Sequence, residues 1–423
     1  MKKRLSQTFR ALRHRNFRLF FIGQMVSLLG TWMQLMALSW LVYRLSHSAF
    51  ILGVTGFVMN APAVFLAPWV GIVADRFDRR CALILIQALC MLQAAVLAGL
   101  FFTHSIQIAH VIILSFVLGV LNVFELPLRQ AFLSEMVEDP ADLANAIALN
   151  SSLFNASRLM GPAAAGIIIA AFGEGVCFFI NAVSFLGVIA ALRRMKIPRR
   201  VLPHAGRISV INDFIDGWQY AYDFFPIRMI LLFIAVVSMQ TSFLQTLLPV
   251  FAKDIFSGGP KTLGFLVSSS GVGALLGAFY LAGRNTVRGL GFIMALSGML
   301  AAVASVAFAL AGHVLLAAGA AFFIGLGMIL SIGSGNIILQ TVVDEDKRGR
   351  VMSLYGLALM GMAPFGNILA GWSGHRYGVV PALIVAGVIY LLAVFLFWNR
   401  LPRFRRKIRP VYARKGIIPS GEV

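Results

Sequence analysis

Gly71-Ile72-Val73-Ala74-Asp75-Arg76-Phe77-Asp78-Arg79-Arg80 decides how this chain is read. Five charged residues fall within six positions, and long apolar segments flank them on both sides. Charge of this density is expensive in hydrocarbon, so the turn belongs on a membrane face and the flanking segments belong inside the membrane.

The composition agrees. Of 423 residues, 59% are hydrophobic and only 12% charged, against roughly 25% charged in a soluble domain. Apolar runs long enough to cross ~30 Å of hydrocarbon as helices recur along the whole length. The ~10-residue alternating segments of a membrane β-barrel do not occur. The expected fold is an all-α polytopic membrane protein with twelve transmembrane helices.

A net charge of +20 could mark a nucleic-acid binder, and topology explains it better. With the N-terminus placed inside and twelve spans, 31 of the 36 Lys and Arg residues fall on the inner side. Only Arg44, Lys253, Lys261 and Arg376 fall outside, and Arg158 alone lies within a span. No nucleic-acid partner is expected. The three cysteines (Cys81, Cys90, Cys177) have no CxxC spacing and the seven histidines are dispersed, so neither a disulfide framework nor a metal site is expected. The basic segment up to Arg18 leads into a run longer than a signal peptide's, which is expected to remain as the first helix.

The spans fall into residues 1–192, an N-terminal six-helix half, and 228–400, a C-terminal one. A basic cytoplasmic linker, 193–227, joins them. In it Ile211, Phe214, Ile215, Trp218, Tyr222 and Phe225 recur at helical spacing, which predicts an amphipathic helix lying along the membrane surface. Residues 401–423 form a basic cytoplasmic tail, expected to be mobile and drawn to anionic headgroups. The halves read as repeats. A shift of 211 brings Ser27 onto Ser238, Thr31 onto Ser242, Gln34 onto Gln245 and Gly53 onto Gly264, and a shift of 206 brings Gly119 onto Gly325.

Gly71-x-x-x-Asp75-Arg76-x-x-Arg79-Arg80 resembles the signature loop between helices two and three of the major facilitator superfamily, with Asp78 where that family usually carries glycine. Within the superfamily the chain is most similar to bacterial exporters of the enterobactin-efflux type. That likeness rests on Arg13-His14-Arg15-Asn16-Phe17-Arg18, on Asn122 to Arg129, and on Asn145, Asn150, Arg158, Gly161 and Pro162. The resemblance implies the major facilitator fold, with two six-helix pseudo-repeats. It also implies a gate motif of Gly71, Asp75, Arg76, Arg79 and Arg80, in which Asp75 meets the positive end of helix eleven when the inner face is closed.

Three further groups of residues are candidates. Glu125 and Arg129 stand one turn apart on helix four with the glutamate first, the favourable order for an ion pair, and Glu125 is the one carboxylate inside an apolar span. With Arg158 on helix five they form a charge set suited to proton coupling or to an anionic solute group, or to a structural ion pair. Gln24, Ser27, Thr31 and Gln34 on helix one, and Ser238, Ser242 and Gln245 on helix seven, make matching polar stripes that suit a solute cavity, with Asn150 added. Gly258 to Thr262 lacks both glycines of a phosphate loop, since Ile255 and Pro260 occupy their places, so no nucleotide and no cofactor is expected. No nucleophile–base pair points to an enzyme.

These features predict a monomeric secondary transporter of the bacterial inner membrane with both termini cytoplasmic. Its expected partners are a small organic substrate (siderophore, drug or metabolite), protons, and membrane lipids including anionic headgroups. Export by proton antiport is the expected mode, with an uptake symporter and a lysophospholipid flippase as alternatives.

Overall fold

The computed structural model describes residues 9–76, 78–196, 210–284 and 286–417; for 67–76 and 210–215 it describes the helix but not the side chains. In order, the helices are α1 (Arg15–Ser46), α2 (Ala49–Arg76), α3 (Arg79–Phe102), α4 (Ile108–Met136), α5 (Pro140–Phe172), α6 (Glu174–Arg194), α7 (Val210–Asp223), α8 (Phe225–Val250), α9 (Pro260–Ala282), α10 (Leu290–Ala309), α11 (Val314–Val342), α12 (Arg348–Met360), α13 (Ala363–Tyr377) and α14 (Val379–Arg414). Among the described residues, twelve spans are long and apolar enough to cross a membrane, α12 and α13 together making one of them. Helices dominate because a chain in hydrocarbon must satisfy its backbone internally.

Two compact units emerge. One comprises Met1–His47, Val58–Gly206 and Ala252–Ser268; the other comprises Ser48–Phe57, Arg207–Phe251 and Ser269–Val423.

In the first unit α1 packs on α6 and α5, and α3 packs on α6 and α4. Phe17, Phe20, Leu41, Leu83, Leu97, Phe132 and Phe178 are fully buried there. Apolar packing against lipid gains little by itself, so close helix approach and polar brackets matter more. Gln34 on α1 supplies such a bracket. Its amide nitrogen donates to Gln93 on α3 at 2.9 Å, and its oxygen accepts from Asn181 on α6 at 2.8 Å. At one end, Asp142 at the start of α5 pairs with Arg10 and with His14 (2.9 Å), while Asn145 accepts the Ala11 amide at 3.0 Å. These bonds fasten the turn preceding α1.

In the second unit the core gathers Ile230, Phe233, Val237, Met294, Ala301, Leu339, Tyr390, Val394 and Phe397. The Phe233 and Phe397 rings lie 4.7 Å apart between centroids. The sequence places Pro364 inside the eleventh span, where it is expected to kink or loosen the helix, and the helix breaks at Gly361–Met362. Pro364, in the first turn of α13, has no N–H to give and its ring would strike the carbonyl one turn back. Ser238 of α8 donates its hydroxyl to the freed Leu359 carbonyl.

The tail is not loose up to Arg414. It continues α14 as a helix, with Leu401, Phe404, Ile408 and Tyr412 buried at helical spacing and the arginines turned outward. That apolar stripe docks the segment on the core of its own unit. Nearby, Asp344 accepts from Tyr220 of α7 at 3.1 Å and from Arg414 at 3.0 Å. Burial, and the Asp344 carboxylate beside it, raise the Tyr220 phenol above its usual range.

The internal repeat is written in tertiary contacts as well. Gly173 joins α5 to α6 and Gly378, 205 positions on, joins α13 to α14; both adopt positive φ (83° and 89°) with extended ψ, a conformation open essentially to glycine alone. A Cβ on Gly119 would overlap the Met59 carbonyl, and a Cβ on Gly325 would overlap the Ser270 carbonyl. Met59 and Ser270 are themselves 211 apart. Within the second unit Gly53 meets Gly371; within the first, their equivalents Gly264 and Gly166 meet.

Candidate functional site

The charged pair of helix four sits where α4 passes α3. Arg129 Nη1 stands 3.5 Å from Glu125 Oε1, and Gln87 Nε2 of α3 donates toward the same oxygen at 3.4 Å. The arginine is almost wholly buried, while 16% of the glutamate side chain remains accessible. Cys90, one turn from Gln87 and also buried, lies within electrostatic reach of the carboxylate. Pro127 lies between the two charged residues and removes one backbone donor from the α4 ladder.

Both contacts to Glu125 are long for charge-assisted hydrogen bonds, which are usually about 2.7–2.9 Å. Two buried polar atoms here, Gln87 Oε1 and Arg129 Nε, have no partner among the described residues. Each such atom costs about 1–3 kcal/mol. An ion pair selected for stability alone would close these bonds. The carboxylate is instead held by two long contacts and stays partly accessible.

Arg158 of α5 lies over the Trp32 ring of α1, 5.9 Å from its centroid, and Trp32 meets Phe154 edge to face at 5.7 Å. Gly161, one turn beyond Arg158, brings α5 against Trp32: a Cβ there would sit 2.5 Å from the Trp32 Cβ. The guanidinium is thus matched to an aromatic face.

The polar stripes divide. Gln34 is committed to its two amide partners, Gln24 and Ser27 are buried, and the Thr31 hydroxyl bonds back to the Ser27 carbonyl at 2.9 Å. On α8, Ser238 is spent on the Leu359 carbonyl, Ser242 is partly exposed and Gln245 is exposed. Asn150 on α5 is partly exposed. For Gly71, Asp75 and Arg76 only the helix is described, and the Asp75 and Arg76 side chains lie outside the described residues.

Asp78, Arg79 and Arg80 of the signature loop are described, and they form a junction. Asp78 accepts the Cys81 amide at 2.8 Å and caps α3. Arg79 pairs with Glu135 near the end of α4 at 2.9 Å. Arg80 donates to the carbonyls of Leu192 and Arg193, both at 2.8 Å, and so neutralises the negative end of α6. Gln87 and Glu135 were not among the residues expected from sequence. Neither carries a spacing signal, because their partners come from other helices.

The second half holds the uncharged counterpart of the Glu125 site. Under the repeat Glu125 corresponds to Ser331, whose hydroxyl meets that of Ser297 on α10 at 2.9 Å, between the equivalent pair of helices.

Comparison with known proteins follows the same lines. The family model described as transmembrane secretion effector matches residues 6–411. The staphyloferrin A transporter of Staphylococcus aureus is 27% identical, over 90% of this chain and 96% of that protein. The multidrug efflux pump Tap of Mycolicibacterium fortuitum and macrolide efflux protein A of Streptococcus pyogenes are each 23% identical, over 89% of this chain and 93% of theirs. Among solved structures, a bacterial homolog of the human lysosomal transporter Spinster superposes with a TM-score of 0.70 at 13% identity, covering 94% of this chain and 98% of that one. A POT peptide transporter superposes at 0.72 and 13%, covering 93% and 95%. Twelve spans, the duplicated helix contacts and the match along almost the whole length lead to one conclusion: the chain belongs to the transmembrane secretion effector family of major facilitator superfamily membrane transporters.

Proposed function

We propose that the protein exports a small organic solute across the bacterial cytoplasmic membrane, exchanging it for protons by alternating access. One observation carries this: a partly accessible carboxylate, Glu125, inside an apolar span, loosely held by Arg129 and Gln87. The two contacts are long enough for the carboxylate to take up a proton, and the second half carries an uncharged serine, Ser331, at the equivalent position. The relatives' names, which include a siderophore transporter and two efflux proteins, support the outward direction and the class of solute. Arg158 on its tryptophan face is the solute's anionic contact, with Asn150, Ser242 and Gln245 as polar contacts. Asp75 closes the inner gate, and both termini face the cytoplasm, where the basic segments meet anionic headgroups.

Thermal-shift screening of the purified protein against siderophores, antibiotics and lysophospholipids identifies the solute to use. Its proton-driven uptake into inverted vesicles then tests the mode. Glu125→Gln is expected to abolish that uptake while the protein still folds. Undiminished uptake by the variant would overturn the proposal, as would a lysophospholipid as the only ligand.

A further inference from the structure

Gln87 is only 3% exposed, lies on α3 rather than on the charged helix, and directs its amide at the carboxylate of Glu125. Its Nε2 donates to Glu125 Oε1 at 3.4 Å, and its Oε1 bonds nothing among the described residues. A buried carboxamide used on one side only is an incomplete device, because it carries two donors and an acceptor. An ionised carboxylate needs donors, whereas a protonated one is itself a donor and needs an acceptor. Gln87 holds both at the right place. Rotating the amide about its last torsion breaks only the single long bond to Glu125, and it replaces N–H with an oxygen.

We propose that Gln87 is the positioning residue of proton coupling, donating to Glu125 when the carboxylate is ionised and, after its amide turns over, accepting the carboxyl proton when it is protonated. Glu125 alone gains and loses the proton; Gln87 exchanges none. This role rests on Glu125 being the proton carrier proposed above.

Among the described charged and titratable groups around Glu125, none serves both states as the Gln87 amide does. Arg129, on the same helix as Glu125, can only donate. Cys90 on α3 is the other titratable neighbour, and a thiol is a weak donor and a weak acceptor. Within their spans α1, between Arg18 and Arg44, and α2, between Ala49 and Ala74, bring no charged side chain, and α5 brings Arg158, seated over Trp32. The equivalent place in the second half shows what a site without this duty looks like. Ser297 and Ser331 bond each other at 2.9 Å, and both also reach the Met294 carbonyl, at 3.3 and 3.4 Å. There the two serines satisfy one another and carry no charge.

Infrared difference spectroscopy of the full-length protein in liposomes, titrated with acid, reads this without any solute. The wild type should show a carboxyl C=O band that Glu125→Gln removes. Gln87→Met, similar in size and without hydrogen bonds to give, should move that band to higher wavenumber and shift its titration midpoint alkaline by about one pH unit, because the lost bond to the ionised form is the stronger. Gln87→Asn, which keeps an amide but draws it out of reach, should shift both in the same direction and serves if the Met variant does not fold. An unchanged band and midpoint in both variants would overturn the role of Gln87 and leave Glu125 as the carrier. A wild-type spectrum with no band that Glu125→Gln removes would overturn both.

Discussion

Asp78 Oδ1 accepts the Cys81 backbone N–H at 2.8 Å and thereby starts α3. The first turn of a helix leaves donors unpaired, and an aspartate at the cap satisfies one of them while complementing the dipole. This accounts for an aspartate where the superfamily usually carries glycine. Asp78→Ala should lower the stability of the solubilised protein by about 0.5–2 kcal/mol, and Asp78→Asn should retain most of it. Thermal unfolding of the two variants checks this; equal losses would show that the cap is not what Asp78 provides.

Gly119 and Gly325 make equivalent demands in the two halves. A side chain at either strikes a neighbouring carbonyl, of Met59 and of Ser270 respectively. Gly119→Val and Gly325→Val should each cost about 1–3 kcal/mol or more through overpacking. Gly99→Ala, where nothing lies within 4 Å of the added carbon, should be silent. Monodisperse yield on size exclusion distinguishes them.

The Gln34–Asn181 bond predicts non-additivity. Either residue changed to leucine leaves a buried amide unpaired, at about 1–3 kcal/mol. The double variant should cost clearly less than the sum. Additive losses in a double-mutant cycle would show that the two amides act separately.

Asp344 ties α7 to the end of α14 through Tyr220 and Arg414. Asp344→Asn should speed hydrogen exchange in both segments and leave the remaining helices unchanged. Because the Tyr220 phenol is raised, its bond persists through neutral pH and is lost only as pH climbs beyond the ordinary phenol range near about 10. Exchange in α7 should therefore be insensitive to pH, after correction for intrinsic rates, between about 6 and 8.

Much of this architecture is legible in the sequence. Spans are announced by runs of apolar residues, and the Glu125–Arg129 contact by its i,i+4 spacing, because both depend on a single helix. Interhelical partners are not legible that way. Gln34 and Gln245 share a repeat position, yet Gln34 is buried in a bracket supplied by Gln93 and Asn181 of other helices, and Gln245 is exposed. Gln87 carries no pattern at all until α3 and α4 are set side by side. The stripe of Leu401, Phe404, Ile408 and Tyr412 was readable, but Pro402, Pro410 and the dense arginines obscure a helix that survives through docking. The break before Pro364 follows from local chemistry, and the proline itself announces it.

Proton exchange through Glu125 is the central claim, and a pH-sensitive dye sealed inside proteoliposomes tests it most directly. On adding the solute found by thermal shift to the outside, the wild type should make the lumen more alkaline as protons leave in exchange. Glu125→Gln should leave the dye unchanged. Acidification of the lumen by the wild type, or the same alkaline shift in Glu125→Gln, would contradict the account.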